Sequence, residues 1–363
     1  MLKSQLCTYP CPSNISFMFN YGLLLNMSII TQNITGILLA CHYVPLMDYS
    51  FLIIKHIIRD IYHGSLLRYL HSNGASFVFI VLYVHIYRAI YVQSYHYLFH
   101  THITGIFIYL LLIIIAFLGY ILPWGQMSYW GATVITNLLS IIPDVVQWLC
   151  GSFFVYNPTL NRFLVIHFIL PFIVLAILVF HVLYLHLIGS TDVLSCNTNN
   201  RISFFTYIVY KDIFGYLVML LLYLIQLGYG VLSISHPDNA LQVNIIITPF
   251  HIVPEWYFLS FYAVLKAIPH KQSGISILLI LIVAFLLTES FSLFSSHVNT
   301  GVTIYSLLFL VFMWIGTELP TYNVLLLLRF SLIWYFFISI FSSQHIFIIL
   351  SYAHPYLFFW LCQ

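Results

Sequence analysis

The sequence predicts an all-α polytopic membrane protein with eight transmembrane helices. Three observations predict it. Of 363 residues, 62% are hydrophobic and only 6% are charged, where soluble domains carry about a quarter charged residues. The mean hydropathy is +1.01 over the whole chain, so lipid is the solvent for most of it. Eight apolar stretches also reach the roughly 20 residues a helix needs to cross the hydrocarbon core. The net charge of +2 is too small for the basic face of a nucleic-acid-binding protein.

The elements follow in order. The start, MLKSQLCTYPCPSNIS, has one lysine and no apolar core before its prolines, unlike a secretory signal. The spans are expected at about residues 17–43, 66–92, 103–122, 161–188, 213–233, 273–293, 301–319 and 322–341. The tail from 345 to 363 is apolar but is broken by Pro355. Two connections are long. Residues 123–160 contain PWGQMSYWGATVITNLL and IPDVVQWL, which predict short amphipathic helices, and residues 235–272 hold HPDN and VPEWYF. Loops of this length in a compact protein are usually functional.

Eight alternating spans put both termini on one side and both long connections on the other. Basic residues do not choose between the sides. Lys3, Arg88, Arg201 and Lys211 fall with the termini, against Lys55, Arg59, Arg68, Arg162, Lys266 and Lys271 opposite. Two regions are expected: residues 1–233 as a helical bundle with the fifth span, and residues 234–363 as a long loop with three further spans.

The chemistry lies in spacing. His71 and His85 stand fourteen positions apart in the second span, and His167 and His181 repeat that spacing in the fourth. Fourteen residues at about 100° each return to within roughly 40° of the starting face, after a rise of about 21 Å. Each helix therefore shows two histidines on one stripe, too far apart to share a metal. The second and fourth spans run parallel, so His71 faces His167 at one depth and His85 faces His181 at another. Gly22 and Gly36 in the first span repeat the interval, as do Gly105 and Gly119 in the third. Glycine removes a side chain where something bulky must approach a helix.

A bundle of the first four spans around two b-type haems fits this pattern. Two axial imidazoles leave no open position on an iron, which favours electron transfer over oxygen binding. Arg68 lies one turn before His71 and Arg88 one turn after His85, placed to pair with propionates. Zinc lacks a third and fourth ligand near either pair. The six cysteines (Cys7, Cys11, Cys41, Cys150, Cys196, Cys362) form no disulfide or haem-attachment motif. They read as small apolar residues. Two alternatives stay open on the residues alone. One is a different two-haem cytochrome, ascorbate- or dehydrogenase-linked. The other is a haem-free proton-coupled transporter that uses the histidines as a relay.

RYLHSNGASF, GYILPWGQMSYWGATVITNL, NPTLNRFLVIH, HPDN and VPEWYFLSFYAVLKAIP together carry a family resemblance. The chain resembles cytochrome b, the membrane subunit of ubiquinol–cytochrome c reductase (respiratory complex III). The start YPCPSNISFMFNYG and the shortened IPDVVQWLCG look most like apicomplexan mitochondrial versions. Ala89 and Ile188 replace residues common in the family.

The resemblance implies haem bL on His71 and His167, and haem bH on His85 and His181. It implies a quinol-oxidising pocket on the intermembrane-space side, at Pro254, Glu255, Trp256, Tyr257 and Tyr262, lined by Phe117, Met127 and Gly131. It implies a quinone-reducing pocket on the matrix side, at His186, Ser190 and Asp212, with Lys211 adjacent. Glu255 is expected to accept a quinol proton, and His186 with Asp212 to deliver protons to quinone. The implied protein is multi-pass in the mitochondrial inner membrane, with both termini in the matrix. It is a catalytic subunit of a proton-translocating oxidoreductase running a Q cycle, active only within its complex. Implied partners are a Rieske iron–sulfur protein, a cytochrome c-type haem subunit, other complex subunits and a second copy of the complex.

Overall fold

A computed structural model describes residues 7–191, 200–286 and 298–341. It divides into two compact units, Met1–Glu255 and Trp256–Gln363.

In the first unit the four leading spans appear as α1 (Tyr21–Ala40), α3 (Gly64–Tyr91), α4 (Phe99–Ile121) and α7 (Asn157–Ile188), and the fifth as α8 (Val209–Tyr229). All five, with the short turns leading into α1 and α8, are long and apolar enough to cross a membrane. α1 packs along α3 and α4 along α7, while α8 lies against α1 and α3. The bundle is thus two close helix pairs. Many of their apolar side chains are exposed, such as Phe180, Leu187 and Leu221, which is how a lipid-facing surface differs from a soluble one.

The predicted amphipathic helices are present as α5 (Gln126–Leu138) and α6 (Pro143–Cys150). Gly151, at φ +69°, ends α6 with its N–H on the Gln147 carbonyl, and Arg162 donates to the Trp148 carbonyl beside it. α7 then starts where the Tyr156 N–H donates to Thr159 Oγ1 at 3.1 Å and Thr159 donates to the Cys150 carbonyl at 2.8 Å.

Two features of this unit depart from the expected outline. α2 (Met47–Asp60) fills the first connection. Ser50, Phe51 and Ile57 are buried on one face, while Tyr49, Lys55, His56 and Arg59 are exposed on the other. It is an amphipathic helix whose buried face packs on α3. Its interspersed charges hide it from a search for unbroken apolar runs. The expected all-α class also gains a small sheet. β1 (Pro10–Pro12) pairs antiparallel with β2 (Arg201–Ser203), Cys11 opposite Ile202. Prolines cannot donate to a ladder, so β1 is confined to such a short edge pairing.

A latch joins the start of α5 to the second long connection. Gln126 Nε2 donates to the Ile247 carbonyl at 2.6 Å, and its Oε1 accepts from the Asn244 N–H at 2.7 Å. Asn239 Oδ1 accepts from both the N–H and the hydroxyl of Ser128 at 2.9 Å. A Cβ on Gly125 would sit 2.4 Å from the Asn239 carbonyl oxygen, so only glycine admits this approach.

The second unit holds α9 (Leu259–Ala267), α10 (Lys271–Leu286), α11 (Val298–Thr317) and α12 (Tyr322–Phe341). α9, unforeseen inside the long connection, packs on the other three. Lys266 Nζ donates to the Gly316 and Glu318 carbonyls at 2.8 and 2.6 Å, closing the end of α11. α10, α11 and α12 fall where the last three spans are expected, and among the described residues their apolar stretches of 10–17 residues are shorter than the five crossing helices of the first unit. Part of the sixth span and the tail after residue 341 lie outside the described residues, as do Cys196 and Cys362.

Candidate functional site

The histidine stripes meet as the spacing requires. α3 carries His71 and His85, and α7 carries His167 and His181. The ring centroids of His71 and His167 are 6.3 Å apart, and those of His85 and His181 are 6.4 Å apart. Those distances match a chemistry. An imidazole nitrogen binds a metal at about 2.0–2.1 Å and lies about 1.1 Å from its own ring centre. An ion with two facing axial imidazoles therefore sets their centroids about 6.3 Å apart.

Ring orientation is fixed from the far side. His71 Nδ1 is 3.0 Å from Thr35 Oγ1, and His181 Nδ1 is 3.1 Å from Thr104 Oγ1. His167 Nδ1 is 2.8 Å from the Ile115 carbonyl, to which it donates. Partners on Nδ1 leave Nε2 to bind a metal. His85 Nδ1 lies 3.3 Å from Arg88 Nη2. Arg88 also covers the Phe19 ring at 4.8 Å. No group of three or more His, Cys, Asp or Glu able to hold a metal occurs among the described residues. Each pair therefore suits a metal that brings its other ligands with it, as a porphyrin does.

The four spaced glycines have a more local reason than the sequence gave. Each backs one histidine. A Cβ on Gly119 would stand 2.5 Å from His167 Cε1, one on Gly36 3.0 Å from His71 Cε1, and one on Gly105 3.1 Å from His181 Cε1. On Gly22 it would stand 3.5 Å from His85 Cε1. The imidazole itself occupies the space a side chain would take.

A second cluster lies at the histidine-186 end of α7. Asp212, in the first turn of α8, is buried. The Lys211 ammonium does not pair with it. It donates to the Ile15 carbonyl at 2.6 Å and covers the Phe17 ring at 5.1 Å. Asn20 Nδ2 donates to the Lys211 carbonyl at 2.7 Å. The segment before α1 thus ties down the start of α8. Cys11 is buried beside Asp212 and Arg201, and burial with the nearby Asp212 carboxylate pushes its thiol up to about 11. Tyr9 stacks on His186, with centroids 4.5 Å apart and planes 22° apart, and its hydroxyl lies against Ser190. His186, Ser190 and Asp212 are therefore gathered around one N-terminal strand. Tyr9, Cys11, Asn20 and Arg201 were not singled out by sequence. For Tyr9 and Cys11 the one signal was the proline-flanked YPCPSN stretch, and Asn20 and Arg201 had none.

A third cluster lies at the opposite ends of the spans. Glu255 closes the first unit, half-buried, beside the Tyr120 hydroxyl at the end of α4. Burial raises its carboxyl to about 7, and the Tyr120 hydroxyl works against that rise. Phe117 lies one turn back on α4 and packs towards Phe163. Met127 on α5 is buried, whereas a Cβ on Gly131 would meet nothing within 4 Å. Pro254 is half-buried next to Glu255. Trp256, Tyr257 and Tyr262 belong to the second unit. There Tyr257 is buried and Lys266 Nζ lies 4.9 Å from the Tyr262 ring centre.

Comparisons with known proteins agree over most of the chain. The family described as Cytochrome b/b6/petB matches residues 6–189, and Cytochrome b(C-terminal)/b6/petD matches residues 242–336. The chain is 45% identical over 356 residues to a cytochrome b of Plasmodium vivax (strain Salvador I), covering 95% of this chain and 93% of that one. A cytochrome b of Toxoplasma gondii is 41% identical over 351 residues, covering 92% and 94%. A solved structure described as a hyperthermophilic respiratory Complex III superposes with a TM-score of 0.87 at 26% identity, covering 94% of this chain and 95% of that one.

Proposed function

Since this chain belongs to the cytochrome b family, we propose that it carries electrons between two quinone pockets on opposite faces of the mitochondrial inner membrane. The observation that carries the reading is the matched pair of histidine separations, 6.3 and 6.4 Å, at two depths of one bundle. Membership brings b-type haem and electron transfer within respiratory complex III. The finer reading places haem bL between His71 and His167, and haem bH between His85 and His181. When bound, the two haems supply single-electron carriers with closed coordination.

The residues around them do the rest. Thr35, Thr104 and the Ile115 carbonyl hold three of the imidazoles in one rotation. Arg68 and Arg88 offer cations to the propionates of the nearer haem. At the outer face quinol gives up two protons and two electrons: Glu255 takes one proton, the other leaves to the outer aqueous side, one electron goes to an iron–sulfur partner and the other crosses the membrane. At the matrix face His186 and Asp212 hold the quinone carbonyls and deliver protons. Proton release on one side and uptake on the other builds the gradient. The Rieske and cytochrome c-type subunits, and a dimeric complex, complete the assembly.

A reduced-minus-oxidised spectrum of the purified complex tests this reading. The expected result is two bis-imidazole b-type signals per chain. Replacing His71 with Ala removes one and replacing His85 with Ala removes the other. No b-type signal, as a haem-free transporter requires, overturns it.

A further inference from the structure

We propose that Tyr9 is a positioning residue of the quinone-reducing pocket, acting by stacking on His186 and fixing its ring plane. The inference rests on the reading of His186 as the quinone-binding imidazole and extends that pocket to the N-terminal strand.

Four observations meet at this residue. The Tyr9 and His186 rings lie 4.5 Å apart at 22°, close to parallel, the offset arrangement aromatic rings favour. The Tyr9 hydroxyl donates towards the Leu185 carbonyl at 3.4 Å, one residue from His186, and lies against Ser190. Tyr9 is buried, with 6% of its surface exposed. Its backbone is anchored as well. The Phe204 N–H donates to the Tyr9 carbonyl at 2.8 Å, and β1 begins at the next residue with Pro10 opposite Ser203. The Ser13 N–H adds a bond to the Asn200 carbonyl at 3.2 Å.

The physical consequence follows from imidazole geometry. A histidine hydrogen-bonds through nitrogens in its ring plane. A ring stacked on its face takes none of those bonds, yet stops rotation about the bond between the side-chain methylene and the ring. Tyr9 thereby holds the His186 nitrogens on one line of approach to a quinone carbonyl and closes one face of the imidazole to water. Tyrosine does this at low entropic cost, because its side chain has only two rotatable angles. The stack also explains the strand. The β1–β2 pairing anchors the backbone that carries Tyr9 beside the end of α7.

The effect expected is on binding more than on turnover, because His186 keeps its chemistry and loses only its orientation. Haem bH reoxidation by added ubiquinone, measured in the assembled complex across a quinone series, separates the two. Tyr9→Leu is expected to raise the quinone KM by about three- to tenfold, the size of one ring stack, with a smaller change in kcat. Tyr9→Phe, which keeps the stack and loses the hydroxyl, is expected to restore most of the KM. His186→Asn in parallel tests the underlying pocket.

If His186→Asn slows reoxidation while Tyr9→Leu leaves the KM unchanged, the role of Tyr9 is overturned and the pocket stands. If neither changes it, the pocket reading falls and the role of Tyr9 falls with it. Should Tyr9→Leu fail to assemble, Tyr9→Met carries the test, because it fills similar space without a ring. A KM in Tyr9→Met equal to that in Tyr9→Phe overturns the proposal.

Discussion

The proposed proton role of Glu255, beside the Tyr120 hydroxyl, carries a pH response that can be worked out. Burial lifts the Glu255 carboxyl to about 7, and the Tyr120 hydroxyl holds it lower than burial alone would. Only the ionised form accepts a proton. Quinol-driven reduction of haem bL is therefore expected to rise with pH through about 7 and to level off above it. Glu255→Gln is expected to flatten that rise. Tyr120→Phe removes the opposing hydroxyl, so the same rise should move to higher pH. Stopped-flow rates of haem reduction between about pH 5 and 9, a range of about two units either side of the carboxyl, read both. A profile in Glu255→Gln that still rises through neutrality would remove the proposed proton role. The Pro-Glu-Trp-Tyr stretch marked Glu255 as a candidate. Its partner Tyr120 lies 135 positions earlier (255 against 120), a distance no local pattern spans.

Helix packing accounts for the glycine pattern. The pairs α1 with α3 and α4 with α7 each press two glycines of one helix against two histidines of its neighbour. The squeeze is graded, from 2.5 Å at Gly119 through 3.0 Å at Gly36 and 3.1 Å at Gly105 to 3.5 Å at Gly22. An imidazole held at Nδ1 has little room to yield. Overpacking a held site costs about 1–3 kcal/mol. Gly119→Ala is therefore expected to weaken the haem signal of the His71–His167 pair most, and Gly22→Ala to disturb the other signal least. Titrating haem retention in detergent extracts ranks the four alanine variants. A ranking unrelated to these distances would mean that the glycines serve helix contact alone. The interval of fourteen was legible in the sequence. That each glycine backs a histidine on the adjacent helix was not, because the pairing runs between helices.

The topology has its own test. Cys7 and Cys41 are both exposed free cysteines, and α1 runs between them. With the N-terminus in the matrix, a membrane-impermeant thiol reagent applied outside a sealed inner membrane is expected to label Cys41 and spare Cys7. Solubilised complex should label at both. The reverse pattern would invert the assignment of the two pockets to their faces.

The sequence by itself determined the helical membrane class, the order of the first five spans and the fourteen-residue interval that sets the histidines of α3 opposite those of α7. Hydropathy and helical periodicity are properties of contiguous residues, and a rigid helix of fixed rise carries them unchanged into the fold. The tertiary structure decided which groups complete each site. Thr35 reaches His71, the Ile115 carbonyl reaches His167, Tyr120 reaches Glu255, and Tyr9 crosses 177 positions (186 against 9) to stack on His186. Those contacts arise from packing between helices and from a strand only three residues long. Their free energy comes from shape and burial in the assembled bundle, which no run of neighbouring residues encodes.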